Sequence, residues 1–287
     1  MPLKEHHMRP ATLLFLLAFS NAPLLAQDFE TTPIAEGVYQ FRYQSHNGFF
    51  VVTDGGVVAV DPISAIAAQH FADEIKRLAP GTRLRAVVYS HDHADHATGA
   101  RVLMDAFGER VPVIAQENAA AKLVDAGPDL PTPDVTFTDR LTLHFGGRAI
   151  ELHYLGKSHS DNMLVVLVPD VRVAFAVDFV SNDRVGYQDL PDYHFPDFYG
   201  ALERLMTLEF DTIVFGHGPP GDPDAVRRQG RYYGALRAAV QQALDNGWTE
   251  DEAAERVRLP QYESWGQYEA WFPMNVRAIY RSLVTGR

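Results

Sequence analysis

The sequence predicts an α+β fold with a helical C-terminal extension, and three observations carry that prediction. Short runs of β-branched and aromatic residues, separated by Gly, Asn and Asp turns, fill residues 34–61 and return after residue 134. Each set of strands is followed by segments whose apolar residues recur at helical spacing. From about residue 222 the helical pattern runs to the end of the chain.

The elements follow in order. Gly37 to Tyr43, Gly48 to Thr53 and Val57 to Asp61 read as a meander, divided by Ser45-His46-Asn47-Gly48 and Asp54-Gly55-Gly56. Ser64 is placed to cap a helix reaching about Leu78, with Ile66, His70, Phe71, Ile75 and Leu78 on one face and Pro80-Gly81 beyond its end. Leu84 to Tyr89 is an apolar run suited to a buried strand. Thr98 to Phe107 reads as helix, Val111 to Ala115 as strand, and Gln116 to Ala126 as a helix closed by Gly127-Pro128. Asp129 to Asp134, with two prolines, is the most linker-like stretch and connects the halves. Val135 to Thr138, Leu141 to Phe145 and Ala149 to Leu155 then read as a second meander, followed by a hairpin of Met163 to Val168 and Val171 to Val177. A helix from Asp197 to Leu208, a strand from Thr212 to Phe215 and tail helices over Asp222 to Asn246, Glu250 to Val257 and Tyr268 to Leu283 complete the reading.

At 287 residues, 46% hydrophobic and 22% charged, the chain has the composition of a soluble globular protein. Residues 27–287 are expected to form a single domain. A formal charge of −12 with scattered Lys and Arg argues against a nucleic-acid partner and for a small-molecule substrate. Residues 1–26 read as a secretory signal peptide: Lys4 and Arg9 in a basic head, the apolar segment Ala11 to Phe19, and small residues to Ala26, after which cleavage is placed. The alternative is a retained membrane-anchoring tail. On the first reading the mature protein is periplasmic or secreted and free of the membrane, and the absence of cysteine suits an oxidising compartment. Oligomeric state is not encoded in any feature of the sequence.

The chemistry concentrates in Ser90-His91-Asp92-His93-Ala94-Asp95-His96, directly after the Leu84 to Tyr89 strand. His91, His93, Asp95 and His96 are four metal ligands within six residues. An extended i, i+2 pair points two imidazoles to one side, and the following turn carries Asp95 and His96 toward a second point. Imidazole and carboxylate donors without thiolate suit zinc, with manganese and iron also possible. Further on, His159, Asp178 and His217 each stand at the end of a predicted strand.

With the pattern His91-x-His93-x-Asp95-His96, then His159, Asp178 and His217 in that order, the chain resembles the metallo-β-lactamase superfamily from Ile34 to about Gly221. The resemblance implies an αββα sandwich with its site along one edge, where strand-end loops of both halves meet. It implies that His91, His93 and His159 hold one metal, that Asp95, His96 and His217 hold the other, and that Asp178 bridges. Ala97-Thr98-Gly99 stands where the family usually has Gly-Gly, and Val177 where a Gly usually precedes the bridging residue. An aspartate bridge is similar to glyoxalase II, lactonases and other esterase-like branches, whereas the true zinc β-lactamases carry cysteine or serine there.

The resulting expectation is a di-zinc hydrolase that cleaves a small ester, lactone, thioester or amide with a metal-activated hydroxide, Asp95 orienting the nucleophile and passing its proton to the leaving group. The alternatives are a class B β-lactamase, a mononuclear iron persulfide dioxygenase and a non-catalytic zinc-binding module. Tyr187, Tyr193 and His194, on the loop between Asp178 and His217, and Lys157 and Asn162, flanking His159, are candidate substrate contacts, each weighed against a purely structural role. Asp92 is expected to steady a ligand imidazole, and His46, His70, His144 and His153 to partner core or surface groups.

Overall fold

A computed structural model describes residues 28–286 apart from residues 125, 126, 128 and 129. The expected signal peptide lies outside the described residues. Seven strands form one sheet in chain order: β1 (Phe29–Ala35), β2 (Val38–Tyr43), β3 (His46–Thr53), β4 (Gly56–Val60), β5 (Leu84–Val88), β6 (Val113–Gln116) and β7 (Val135–Phe137). Tight turns join β1 to β4, so these pair antiparallel. The pairs from β4 to β7 are parallel, which requires crossovers. Helix α1 (Ala65–Leu78) supplies the first, α2 (Ala94–Ala97) and α3 (Ala100–Phe107) the second, and α4 (Glu117–Leu123) the third.

The second sheet has the order β12-β11-β10-β9-β8, built from β8 (Arg140–Phe145), β9 (Arg148–Tyr154), β10 (Leu164–Val168), β11 (Val173–Ala176) and β12 (Thr212–Phe215). Helices α5 (Phe195–Leu205), α6 (Pro223–Asp245), α7 (Glu250–Arg256) and α8 (Tyr268–Thr285) follow. Side chains alternate across the first sheet with the two-residue period of a strand. Phe49, Val51, Val58, Val60, Ala86 and Val88 enter the core shared with the second sheet, while Phe50, Val57, Ala59, Val87 and Tyr89 pack on Phe71, Ile75 and Leu103 of the outer helices. Phe49 stacks on Phe175 across the inter-sheet core with ring centroids 5.2 Å apart. The architecture is the expected αββα sandwich with a helical extension.

Ser64 caps α1 by accepting from the Ala67 amide at 3.3 Å, as its position in the sequence implies. Two elements depart from expectation: β1, which the sequence reading does not name, adds an edge strand to β2, and β7 changes sheet. Val135–Phe137 does not join the second meander but pairs in parallel with β6, completing the first sheet, so the stretch ending at Asp134 leads to a strand of the first half and the halves are instead connected between Phe137 and Arg140. The reason lies in the preceding residue: the Asp134 amide donates to Val113 O at 2.8 Å and its carboxylate accepts from the Val113 amide at 3.0 Å, pinning the chain to β6. Among the described residues no helix is long and apolar enough to cross a membrane.

Candidate metal centre

The centre forms where the start of β3 and the C-terminal ends of β5, β9, β11 and β12 meet. Parallel pairing of β4 with β5 places Asp61 beside the loop that starts at Ser90. Asp61 is fully buried. Its carboxylate accepts from the Ser90 amide at 2.8 Å and the Ser90 hydroxyl at 2.6 Å, and lies 2.9 Å from His96 Nδ1. That last contact leaves Nε2 of His96 directed into the site. Gly99 permits the tight approach of this loop to the start of α1, since a Cβ there would lie 2.2 Å from Pro62 O.

From the other sheet, Asp178 sits at the apex of a three-residue turn, with the Phe179 amide donating to Val177 O at 2.6 Å and a φ of +55°. Such a conformation is costly for a residue with a Cβ and is found where surrounding structure enforces it. The turn sends the carboxylate into the cluster. Oδ2 lies 3.5 Å from His91 Nε2, 3.3 Å from His96 Nε2 and 3.6 Å from His159 Nε2, while Oδ1 lies 3.2 Å from His217 Nε2. His159 Nε2 also stands 3.1 Å from His93 Nδ1. His217 Nδ1 is oriented by Ser45 O at 2.7 Å, and Asn47 Nδ2 donates to both Phe215 O and Gly218 O at 2.8 Å, fastening the end of β12 to the start of β3. Asp95 Oδ2 faces His46 Nε2 at 3.3 Å.

These residues fit metal ions. The ligand atoms of His91, His93, His159 and Asp178 lie within 4.8 Å of one another, as do those of His96, Asp178 and His217 and of His46, Asp95 and His217. Asp178 is common to the first two groups. His91 Nε2 and His96 Nε2 are buried without a hydrogen-bond partner, which is costly unless another group satisfies them. Ligands about 2.0–2.1 Å from a tetrahedral zinc stand roughly 3.3 Å apart, the kind of separation that brings His93 Nδ1 to His159 Nε2. The donors are nitrogen and oxygen throughout.

Electrostatics separates the imidazoles. Burial lowers His91 well below the usual histidine range, assisted by the neighbouring His96, and it lowers His159 to about 4. Both are therefore neutral and able to donate a lone pair. Burial also opposes charge on His96, but Asp178 and Asp61 prevail and raise it well above the usual range. Asp178, in turn, is held well below the carboxylate range by His96 and His217 despite the burial that opposes ionisation. For Asp95 burial again pushes upward, and the His46 hydrogen bond and the His96 charge outweigh it, holding the group at about 2.

A cavity of about 590 Å³ opens above the cluster, lined by His93, Asp95, His159, Asp178 and His217 on one side and by Arg184, Tyr187, Gln267 and Trp271 on the other. Of the candidate substrate contacts, Tyr187 lines this cavity. Tyr193 donates its hydroxyl to Asp178 O at 2.6 Å and meets the His159 ring in an edge-on arrangement, bracing two candidate ligands. Asn162 is buried, accepts from the Asp92 amide and donates to the Asp92 carboxylate at 2.7 Å, so it ties the His159 loop to the histidine loop. His194 precedes α5 with Nδ1 3.1 Å from Asp197, and Lys157 is exposed; neither lines the cavity. Asp92 is thus a brace between loops. His46, expected to have a general structural role, stands inside the site beside Asp95 and His217. Asp61, like Arg184 and Gln267 of the cavity wall, is not singled out by sequence reasoning. An aspartate closing the apolar run Val57 to Val60 is the one local signal that could have drawn notice.

Residues 43–217 match the family described as the metallo-beta-lactamase superfamily, and the chain belongs to that superfamily. Hydroxyacylglutathione hydrolase of Prochlorococcus marinus (strain MIT 9301) is 23% identical over 182 residues, 63% of this chain and 68% of that protein. Metallo-beta-lactamase type 2 of Pseudomonas aeruginosa is 23% identical over 224 residues, 75% of this chain and 88% of that protein. A metallo-beta-lactamase from Pontibacter korlensis shares the fold with a TM-score of 0.61 at 24% identity, over 71% of this chain and 97% of its own. A stereoselective inverting sec-alkylsulfatase from a Pseudomonas species shares it with a TM-score of 0.72 at 19% identity, over 88% of this chain and 50% of its own. The protein is a metal-dependent hydrolase of this superfamily.

Proposed function

We propose that the chain is an exported di-zinc hydrolase of a small ester, lactone, thioester or amide. The observation that carries this reading is the position of Asp178, whose two carboxylate oxygens face imidazoles of both ligand groups. One anion so placed offsets charge on two cations at once. His91, His93 and His159 would hold one ion and Asp95, His96 and His217 the other, with manganese or iron accepted by the same donors. Bound there, two dications supply Lewis acidity for a carbonyl and an acidified water at neutral pH.

The chain's own residues do the rest. Asp95 is ionised and reaches the cavity wall, so it is the group that takes a proton from the nucleophile and returns it to the leaving group. His46 keeps its carboxylate aimed inward. The cavity volume of about 590 Å³ admits a small molecule. A strict β-lactamase is the runner-up, favoured by the likeness to the P. aeruginosa protein of that name.

The test is a chromogenic screen of metal-quantified protein, a cephalosporin reporter against aryl esters and lactones. Faster turnover of esters or lactones is expected. Efficient turnover of the cephalosporin alone would overturn the ranking, and one iron per chain would favour the persulfide dioxygenase. Export is read separately: N-terminal sequencing of protein from the periplasmic fraction or medium should begin at Gln27, and retention of the N-terminal segment on the membrane would refute it.

A further inference from the structure

We propose that Arg184, stacked on Trp271 beside Tyr187, is a carboxylate-binding subsite, so that the substrate of the hydrolase proposed above carries an anionic group away from its scissile bond. The inference rests on that reading for the words "substrate" and "scissile". The geometry stands apart from it.

Arg184 lies in the loop between β11 and α5. Its backbone is fixed to the segment that begins α8: the Val185 amide donates to Gly266 O at 3.2 Å, and the Gly266 amide donates to Asp183 O at 2.9 Å. The guanidinium carbon lies 4.7 Å from the centroid of the Trp271 ring, and Tyr187 meets the same ring edge-on at 5.0 Å. All three side chains line the cavity that also exposes His93, Asp95, His159 and Asp178. Arg184 and Tyr187 lie within the span that matches the family, whereas Trp271 and Gln267 lie beyond residue 217, so the tail supplies the surface on which Arg184 rests.

What marks Arg184 is a charge without a counter-charge. Among the described residues no carboxylate lies within ion-pair distance of it. The adjacent Asp183 is already engaged by Arg228, with contacts of 2.8 and 3.3 Å. Burial lowers the pKa of Arg184 from the usual arginine value, as expected for a guanidinium removed from water and not compensated by a bonded anion. A guanidinium over an indole face that makes no side-chain ion pair keeps N–H donors for a ligand, and two parallel N–H groups match a carboxylate. The chain's net charge of −12 repels anions at long range, so a single cation inside the cavity acts by local recognition and not by general attraction.

The alternative is that Arg184 only holds the loop to the tail through its contact with Trp271, whatever the ligand. Two measurements on the zinc-loaded protein separate the readings. The first compares mono-4-nitrophenyl glutarate with uncharged 4-nitrophenyl pentanoate. In Arg184→Met, which keeps an apolar stem over the ring, KM for the glutarate ester should rise about 10- to 100-fold while the pentanoate ester changes little. Arg184→Lys should recover part of the loss, since charge returns without the fork. The second follows tryptophan fluorescence during titration with glutarate: saturable binding to the wild type, at least tenfold weaker in Arg184→Met, is expected. Equal losses for both esters, or glutarate binding unchanged in Arg184→Met, would overturn the subsite. Glutarate binding that depends on Arg184 while no ester is cleaved would remove the ester-hydrolase reading and keep the subsite. Ester turnover blind to charge would do the reverse.

Discussion

The two halves of the sandwich deliver their candidate ligands by different means. The seven-stranded half contributes His91, His93, Asp95 and His96 from one loop, braced from beneath by the buried carboxylate of Asp61. The five-stranded half contributes His159, Asp178 and His217 singly, from three separate strand ends, and most of their braces are neutral: a Tyr193 hydroxyl on Asp178 O, Ser45 O on His217 Nδ1, and Asn47 on the carbonyls flanking His217. A contiguous loop can be held by one charged group behind it. Ligands scattered over three strands must be held through the backbone, and two of these braces come from the opposite half. The halves therefore differ in what each would lose with a brace.

The largest effect is expected at Asp178, the one residue of the scattered set whose charge serves both ligand groups. Asp178→Asn preserves shape but removes the anion, so affinity for a second zinc should fall about 10- to 100-fold or more and turnover should fall steeply. Zinc titrated into the chelator-stripped variant counts the ions. Two tight sites with normal turnover would mean that Asp178 is only a turn residue, and would withdraw the bridging assignment.

A matched pair sharpens the comparison of braces. Asp61→Asn leaves His96 without one of its anionic partners; breaking a buried charged pair costs about 3–5 kcal/mol. Asn47→Ala removes neutral hydrogen bonds to Phe215 O and Gly218 O, for which about 1–3 kcal/mol is expected. Denaturant unfolding of the metal-stripped proteins should thus rank Asp61→Asn below Asn47→Ala in stability. The pH dependence has a definite sign. The folded pKa of His96 is raised above its usual 6.5, partly by Asp61, so the stabilisation from this contact is complete below about pH 6.5 and is lost as pH rises through the raised value. The deficit of Asp61→Asn should shrink in alkali while that of Asn47→Ala stays level. A deficit independent of pH would mean that the Asp61 contacts with Ser90 dominate.

The same contrast explains what could be read from the sequence. Four ligands in six residues are visible because a loop concentrates them, and a one-dimensional pattern records local density. His159, Asp178 and His217 stand out only as lone residues at predicted strand ends, and the family resemblance is what joins them to the loop, because no local pattern ties a single histidine or aspartate to a distant partner. Asp61 stayed hidden because its role arises from the parallel pairing of β4 with β5, which joins residues 29 apart in the chain. The place of Val135–Phe137 was misread for a related reason. A three-residue strand carries too little pattern to name its partner, and the Asp134 contacts with Val113 that decide it are tertiary. Elements with local signals, such as α1 with its Ser64 cap and α6 with its Asp222 cap, fell where the sequence put them.

The smallest effect should come from His46, where the halves touch. Its Nε2 lies 3.3 Å from Asp95 and its ring centroid 4.7 Å from that of His217, so it could either aim Asp95 or serve as a ligand itself. Asp95 is half-exposed, and such ion pairs contribute about 0.2–1 kcal/mol. If His46 only aims the carboxylate, His46→Ala should keep the wild-type zinc count and lose about 1.4- to 5-fold in kcat with KM little changed. Loss of a zinc ion from His46→Ala would instead make it a ligand contributed by β3. The second metal would then depend on a side chain of the seven-stranded half outside the histidine loop, and the contrast between one dense loop and three scattered strand ends would no longer describe how the centre is held.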